Sequence, residues 1–157
     1  GGNSLDRRMP PAWPDHLEAG TLNGPGLAGL AAGAAFVRER GVRALHRGAV
    51  ALARRLRAGL AEIRTVDILS PEPGTGGAIV TLRSGGLDAA SRARRLDREH
   101  SVQVRAGLHC APEVHRLLGT TTMGAVRYSV GWATTQADVD AAVAATAETV
   151  GPVSVSI

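Results

Sequence analysis

Leu45, Ala49, Leu52, Leu56, Leu60 and Ile63 recur every three or four residues, so the pattern predicts a helix over 42–64 with one apolar face. Arg47, Arg54, Arg55 and Arg57 fill its other faces. A preceding helix is predicted over 26–40. Asn23 is its candidate N-cap, Pro25 opens the first turn, Leu27, Leu30, Ala34 and Val37 recur at helical spacing, and Gly41 ends it. Short apolar runs at 66–69 and 78–82 predict two strands separated by the turn-rich stretch SPEPGTGG. A third helix is expected over 87–99 with Asp88 as N-cap. Alternation predicts strands at 102–105 and 125–130, and a short helix follows Pro112. Thr135, with Asp138 three residues on, starts a last helix with Val139, Ala142, Val143 and Thr146 on one face. This order predicts a small α/β (α+β) domain with helices packed on one face of a small mixed sheet. Residues 1–25, rich in Gly, Pro and Asn, are expected to be extended.

The two late strands carry a further expectation. In Val102-Gln103-Val104-Arg105 the valines share one face, and Gln103 and Arg105 the other. In Val126-Arg127-Tyr128 the arginine again opposes the apolar side. If the strands are neighbours, both guanidinium groups border one place, and a planar guanidinium suits a carboxylate. The alternative is that each simply faces solvent.

Composition narrows the functional classes. The chain has 157 residues, 44% apolar but only 3% aromatic, which predicts one domain with an aliphatic, small-residue core. No apolar run approaches the roughly 20 residues of a membrane span. GGNSLDRRMPP has no apolar stretch of signal-peptide type. The net charge is +4, but the arginines are expected mainly on polar helix faces beside acidic residues. With so few aromatics for base stacking, no nucleic-acid partner and no membrane partner are expected. All 18 basic residues are arginine, so no side-chain amine is present to form a Schiff base. A single cysteine forms no internal disulfide, and a reducing, cytoplasmic setting is expected. No metal site is expected.

That cysteine, Cys110, stands five residues after Arg105 at a strand-to-helix junction, directly after His109. A thiol attacks as its thiolate, which a neighbouring cation or a helix N-terminus favours. The competing reading is a small buried hydrophobe.

The stretches RAGLHCAP at 105–112 and LLGTTTMGAVRYSVGWATTQADVD at 117–140 resemble the C-terminal part of class V aminotransferase-fold enzymes, specifically cysteine desulfurases. HLEAGTLNGPGLAGLAAG at 16–33 resembles another segment of the same family, and GGNSLD at 1–6 the glycine pair before it. The resemblance implies that residues 1–25 connect to a large cofactor domain and that 26–157 form the small C-terminal domain of a fold-type I aminotransferase-like enzyme. It implies Cys110 as the persulfide-forming catalytic residue and Arg127 as the holder of the substrate carboxylate. Arg105 and His109 are implied near the substrate, with His109 shaping the loop or handling a proton. Gly20 and Thr21 are implied to reach the pyridoxal phosphate of a partner subunit in a homodimer. The implied reaction turns L-cysteine into alanine and an enzyme persulfide, passed to a sulfur-acceptor protein, as in iron–sulfur cluster assembly. His46, His100 and His115 match nothing and are expected at the surface.

The chain departs from that family in size and in lacking the lysine that binds the cofactor. The resemblance therefore implies a C-terminal fragment with the large domain absent, inactive alone. Two alternatives stand beside it. One is part of another class V aminotransferase, epimerase or lyase with an incidental Cys110; the other is a truncated, non-catalytic interaction domain. Cysteine is not distinguished from selenocysteine as substrate.

Overall fold

The computed structural model describes residues 7–18, 20–74 and 77–150. The glycine pair at the start, within 1–6, lies outside them. The chain divides into two units, Gly1–Val42 and Arg43–Ile157.

In the first unit, helix α1 spans Gly24–Arg40. Asn23 caps it by accepting a hydrogen bond from the Gly26 N–H at 3.0 Å, and Pro25 stands in its first turn. Gly41, at φ 79°, ends it by donating to the Val37 carbonyl. None of its residues is buried; Leu27, Leu30 and Val37 are exposed.

Helix α2, Val42–Ala61, carries the chain into the second unit. It buries Val50, Ala53, Leu56 and Leu60, a broader seam than the expected one, with Leu45, Ala49 and Leu52 half-buried. The helix stops three residues early. The Ile63 N–H donates to the Leu60 carbonyl and the Val66 N–H to Ile63, turning the chain into strand β1, Val66–Ile68. Strand β2 (Ile79–Ser84), helix α3 (Ala89–His100), strand β3 (Arg105–Gly107), helix α4 (Pro112–Leu117), strand β4 (Ala125–Ser129) and helix α5 (Gln136–Thr149) follow.

The four strands form one sheet in the order β1-β2-β4-β3. Every pairing is antiparallel, so the sheet is not mixed as expected. The expected strand at 102–105 is also displaced. Residues 101–104 are irregular and the ladder begins at Arg105, with Arg105, Ala106 and Gly107 pairing with Arg127, Val126 and Ala125.

Val66, Val80, Leu82, Val126 and Tyr128 alternate onto one sheet face. Leu56 and Leu60 of α2, Leu96 of α3 and Val139, Ala142 and Ala145 of α5 close the core over it. Each buried leucine contributes about 1.5–3 kcal/mol of apolar burial. Small residues let the helices come close: a Cβ added at Gly59 of α2 would lie 2.8 Å from Val143 Cγ2 of α5.

The two further caps read from the sequence are also present. Asp88 accepts from the Ser91 N–H at 2.9 Å at the start of α3. Thr135 and Asp138 make a full capping box on α5. One arginine departs from the expected helix surface. Arg92 is 1% exposed, on the same buried face as Ala89 and Leu96. Its guanidinium donates to the Thr149 carbonyl at 2.9 Å and the Gly85 carbonyl at 3.0 Å. Thr149 ends α5, where the helix dipole favours a cation. Burial pushes the Arg92 pKa down. Among the described residues no helix is long and apolar enough to cross a membrane.

Candidate functional site

The sheet face turned away from the core holds the candidate chemistry. β3 pairs with β4 so that Arg105 stands directly opposite Arg127, and on the other side of β4 Thr81 of β2 faces Arg127. Residues directly opposite project to the same face. The two arginines are therefore neighbours on one sheet face, which periodicity allowed but did not decide. Like charges in that register are unfavourable unless something negative offsets them. The Arg127 Nε is buried with no hydrogen-bond partner.

Beyond β3 the chain makes a tight turn, with the Ala111 N–H donating to the Leu108 carbonyl at 2.8 Å. Its two central residues, His109 and Cys110, are left-handed at φ 52° and 60°. A non-glycine residue there costs about 1 kcal/mol or more. The turn holds Cys110 at the surface as a free thiol rather than in the core. Arg105 Nη2 donates to Cys110 Sγ at 3.3 Å. The strand that places one arginine of the pair thus also ties it to the sulfur.

His109 Nε2 lies 3.2 Å from the Arg105 carbonyl. A carbonyl only accepts, so Nε2 carries the proton in the neutral ring and Nδ1 is left with a lone pair. Burial lowers the His109 pKa, opposed by that carbonyl and reinforced by the positive charge of Arg127, His115 and Arg105. The shift favours the neutral imidazole.

Sequence reasoning missed His115. It is 4% exposed rather than at the surface, with Nδ1 2.7 Å from Thr120 Oγ1. Its ring centroid is 5.5 Å from that of His109. α4 turns one polar residue, His115, inward and leaves its apolar ones outside with Glu113 and Arg116: Leu117 is 89% exposed and Val114 half exposed. Such an inversion leaves no amphipathic signature. His46 is exposed, and His100 is half-buried 3.8 Å from Glu148. Gly20, at φ 85°, and Thr21 belong to the Gly1–Val42 unit and are both exposed.

Of the four residues, Arg105 and Cys110 are exposed and His109 and Arg127 are half-buried. A cleft of about 370 Å³ in the second unit is lined by Gln103, Tyr128, Val139 and others, and by none of these four. The cluster can bind an anion at the arginines with a nucleophilic sulfur beside it. With no lysine in the chain, covalent attachment of pyridoxal phosphate does not fit the residues present.

The chain is similar to several known proteins. Probable cysteine desulfurases of Methanothermobacter thermautotrophicus and Synechocystis are 28% and 30% identical, each over 81% of this chain. The chain spans about a third of their length, 32% and 30%. An apo cysteine desulfurase from Thermococcus onnurineus superimposes with a TM-score of 0.78 at 33% identity, over 87% of this chain and 34% of that one. The Escherichia coli cysteine desulfurase CsdA, in its S-sulfonic acid form, does so with a TM-score of 0.75 at 26% identity, over 87% and 33%. A family model for aminotransferase class-V matches residues 3–142, and the chain belongs to that family.

Proposed function

We propose that this chain carries the sulfur-accepting part of a cysteine desulfurase. The observation behind the proposal is the Arg105–Cys110 contact at 3.3 Å with Arg105 opposite Arg127. In this reading Arg127, assisted by Arg105, holds the α-carboxylate of L-cysteine through charge-assisted hydrogen bonds. Cys110 Sγ attacks the substrate sulfur: an S–S bond forms as the substrate's Cβ–S bond breaks, leaving a persulfide and, after protonation of the carbon, alanine. His109, neutral and with Nδ1 free, handles a proton beside the sulfur. The electron sink for that cleavage is supplied by pyridoxal phosphate. This sequence has no lysine to hold it, so in this reading a lysine outside these residues would do so. Gly20 and Thr21 offer a backbone N–H and a hydroxyl to the phosphate of a partner subunit in a homodimer. A sulfur-acceptor protein then takes the sulfane sulfur from the exposed Cys110, in line with a role in iron–sulfur cluster assembly.

Two measurements test the reading. Residues 1–157 alone, mixed with pyridoxal phosphate and cysteine, are expected to release no sulfide above a cofactor-only blank. In an enzyme reconstituted with a lysine-bearing cofactor domain, Cys110→Ala is expected to abolish the persulfide while the cofactor colour stays. Sulfide release unchanged by that substitution would refute the proposal. The missing lysine also favours a second reading, a non-catalytic domain that pairs with a complete enzyme. Its mark is a stable complex with such an enzyme whose turnover does not depend on Cys110.

A further inference from the structure

The turn that presents Cys110 stands on a polar construction that the sulfur chemistry does not itself need. Thr120 is 2% exposed and His115 4%. The Thr120 N–H donates to the His115 carbonyl at 2.9 Å while its hydroxyl meets His115 Nδ1 at 2.7 Å, so residue and ring are held from both ends. The Thr120 carbonyl accepts from the Gly124 N–H at 2.8 Å, immediately before β4. Gly124, at φ 69°, approaches so closely that a Cβ there would lie 3.0 Å from the Gly107 Cα at the end of β3. From His115 the contact passes to the His109 ring, and from His109 Nε2 to the Arg105 carbonyl. The circuit closes on the residue whose guanidinium meets the Cys110 sulfur.

A helix wanting only stability would turn Val114 and Leu117 inward and leave His115 in water. α4 does the reverse. A buried polar ring is retained where its hydrogen bond and its shape are used. Here the ring abuts the first of two consecutive left-handed residues, a conformation that persists only when its surroundings over-determine it.

We propose that the Thr120–His115 pair is a positioning element for the cysteine turn: it buttresses the His109 ring and thereby holds Cys110 within reach of Arg105. The inference deepens the desulfurase reading and rests on it only in taking Cys110 as the reacting group. The charged and titratable groups facing His109 are Arg105 from β3, Arg127 from β4 and His115 from α4. Glu113 and Arg116 of α4 pair with each other.

Because Cys110 is the sole thiol, its alkylation by iodoacetamide in the 157-residue chain reads the turn directly, across a pH series. Thr120→Val is nearly isosteric and removes only the hydroxyl. It is expected to slow alkylation about five-fold or more and to change the pH profile, with Thr120→Ser restoring the rate to within about two-fold. His115→Leu is expected to do the same, and the His109 Cε1–H resonance should titrate at a different midpoint in both Thr120→Val and His115→Leu. Alkylation within about two-fold of the parent in Thr120→Val, with the His109 midpoint unmoved, overturns the proposal even if thermal stability falls. Should His115→Leu not fold, the Thr120→Val and Thr120→Ser pair decides alone. Failure here is separate from failure of the desulfurase reading, which shows as sulfide release surviving Cys110→Ala.

Discussion

One face of one sheet carries two cross-strand charge pairs of opposite kind. On the β1–β2 side Asp67 stands opposite Arg83, and Arg83 Nε donates to Asp67 Oδ2 at 2.9 Å. On the β3–β4 side Arg105 stands opposite Arg127. The first is a matched pair that completes itself. The second places two cations where a fold built only for stability would place one of each sign, and puts a thiol beside them. Charge that is balanced locally reads as structure; like charges held in a fixed register are suited to an anionic ligand. Arg92 shows the third arrangement, a buried cation satisfied by two carbonyls at a helix end. It belongs with the structural pair, since its donors are directed at backbone groups of its own chain.

The comparison can be broken at each of the three places. Arg92→Ala removes the side-chain donor to the Gly85 carbonyl, leaves the Thr149 carbonyl only the longer contact from Arg95 at 3.4 Å, and opens space in the core, so a loss of about 3 kcal/mol is expected in denaturant unfolding. Arg127→Gln removes one of two like charges. Thermal stability should hold or rise slightly, while kcat/KM for cysteine in the reconstituted enzyme falls by about 100-fold, the scale of a truncated charge-assisted contact. A variant that loses stability and activity in proportion would make Arg127 structural and remove the contrast.

The next effect is a pH dependence. The folded-state pKa of His109 lies below its ordinary value of 6.5, chiefly through burial. The unfolded chain therefore binds this proton more readily. Stability from this residue is full above about pH 6.5 and is lost as pH falls toward the folded pKa. His109→Gln is expected to flatten that part of a melting-temperature profile against pH; an unchanged acid limb would assign it to other groups. The smallest change is expected at the matched pair. Asp67 and Arg83 are 67% and 47% exposed, so Asp67→Asn should alter stability by under about 1 kcal/mol and leave the cysteine chemistry untouched. A large loss there would mean that the two ends of the sheet are coupled rather than separate.

How much could be read from the chain alone differs between elements. α5 was legible because Thr135 and Asp138 form a local capping box and the apolar positions repeat on one face. α3 was legible from Asp88, although Arg92 on its buried face was not, since an arginine carries no sign of the carbonyls it will meet. The strand at 102–105 was misplaced because alternation alone ignores whether a neighbour offers hydrogen bonds. For the site, Arg105, His109, Cys110 and Arg127 were singled out from residue type and the family resemblance. His115 was passed over, because α4 is only six residues long and inverted in polarity.

The amino-acid order by itself determined the helices, their caps, the aliphatic core and the absence of any Schiff-base amine, because each depends on residues within a turn or two or on composition. Tertiary structure decided the rest: the antiparallel order of the strands, the facing of Arg105 and Arg127, the burial of His115 and the left-handed turn that lifts Cys110. These depend on which distant segments share hydrogen bonds and volume. Pairing register is a property of two strands at once, and neither strand carries it alone.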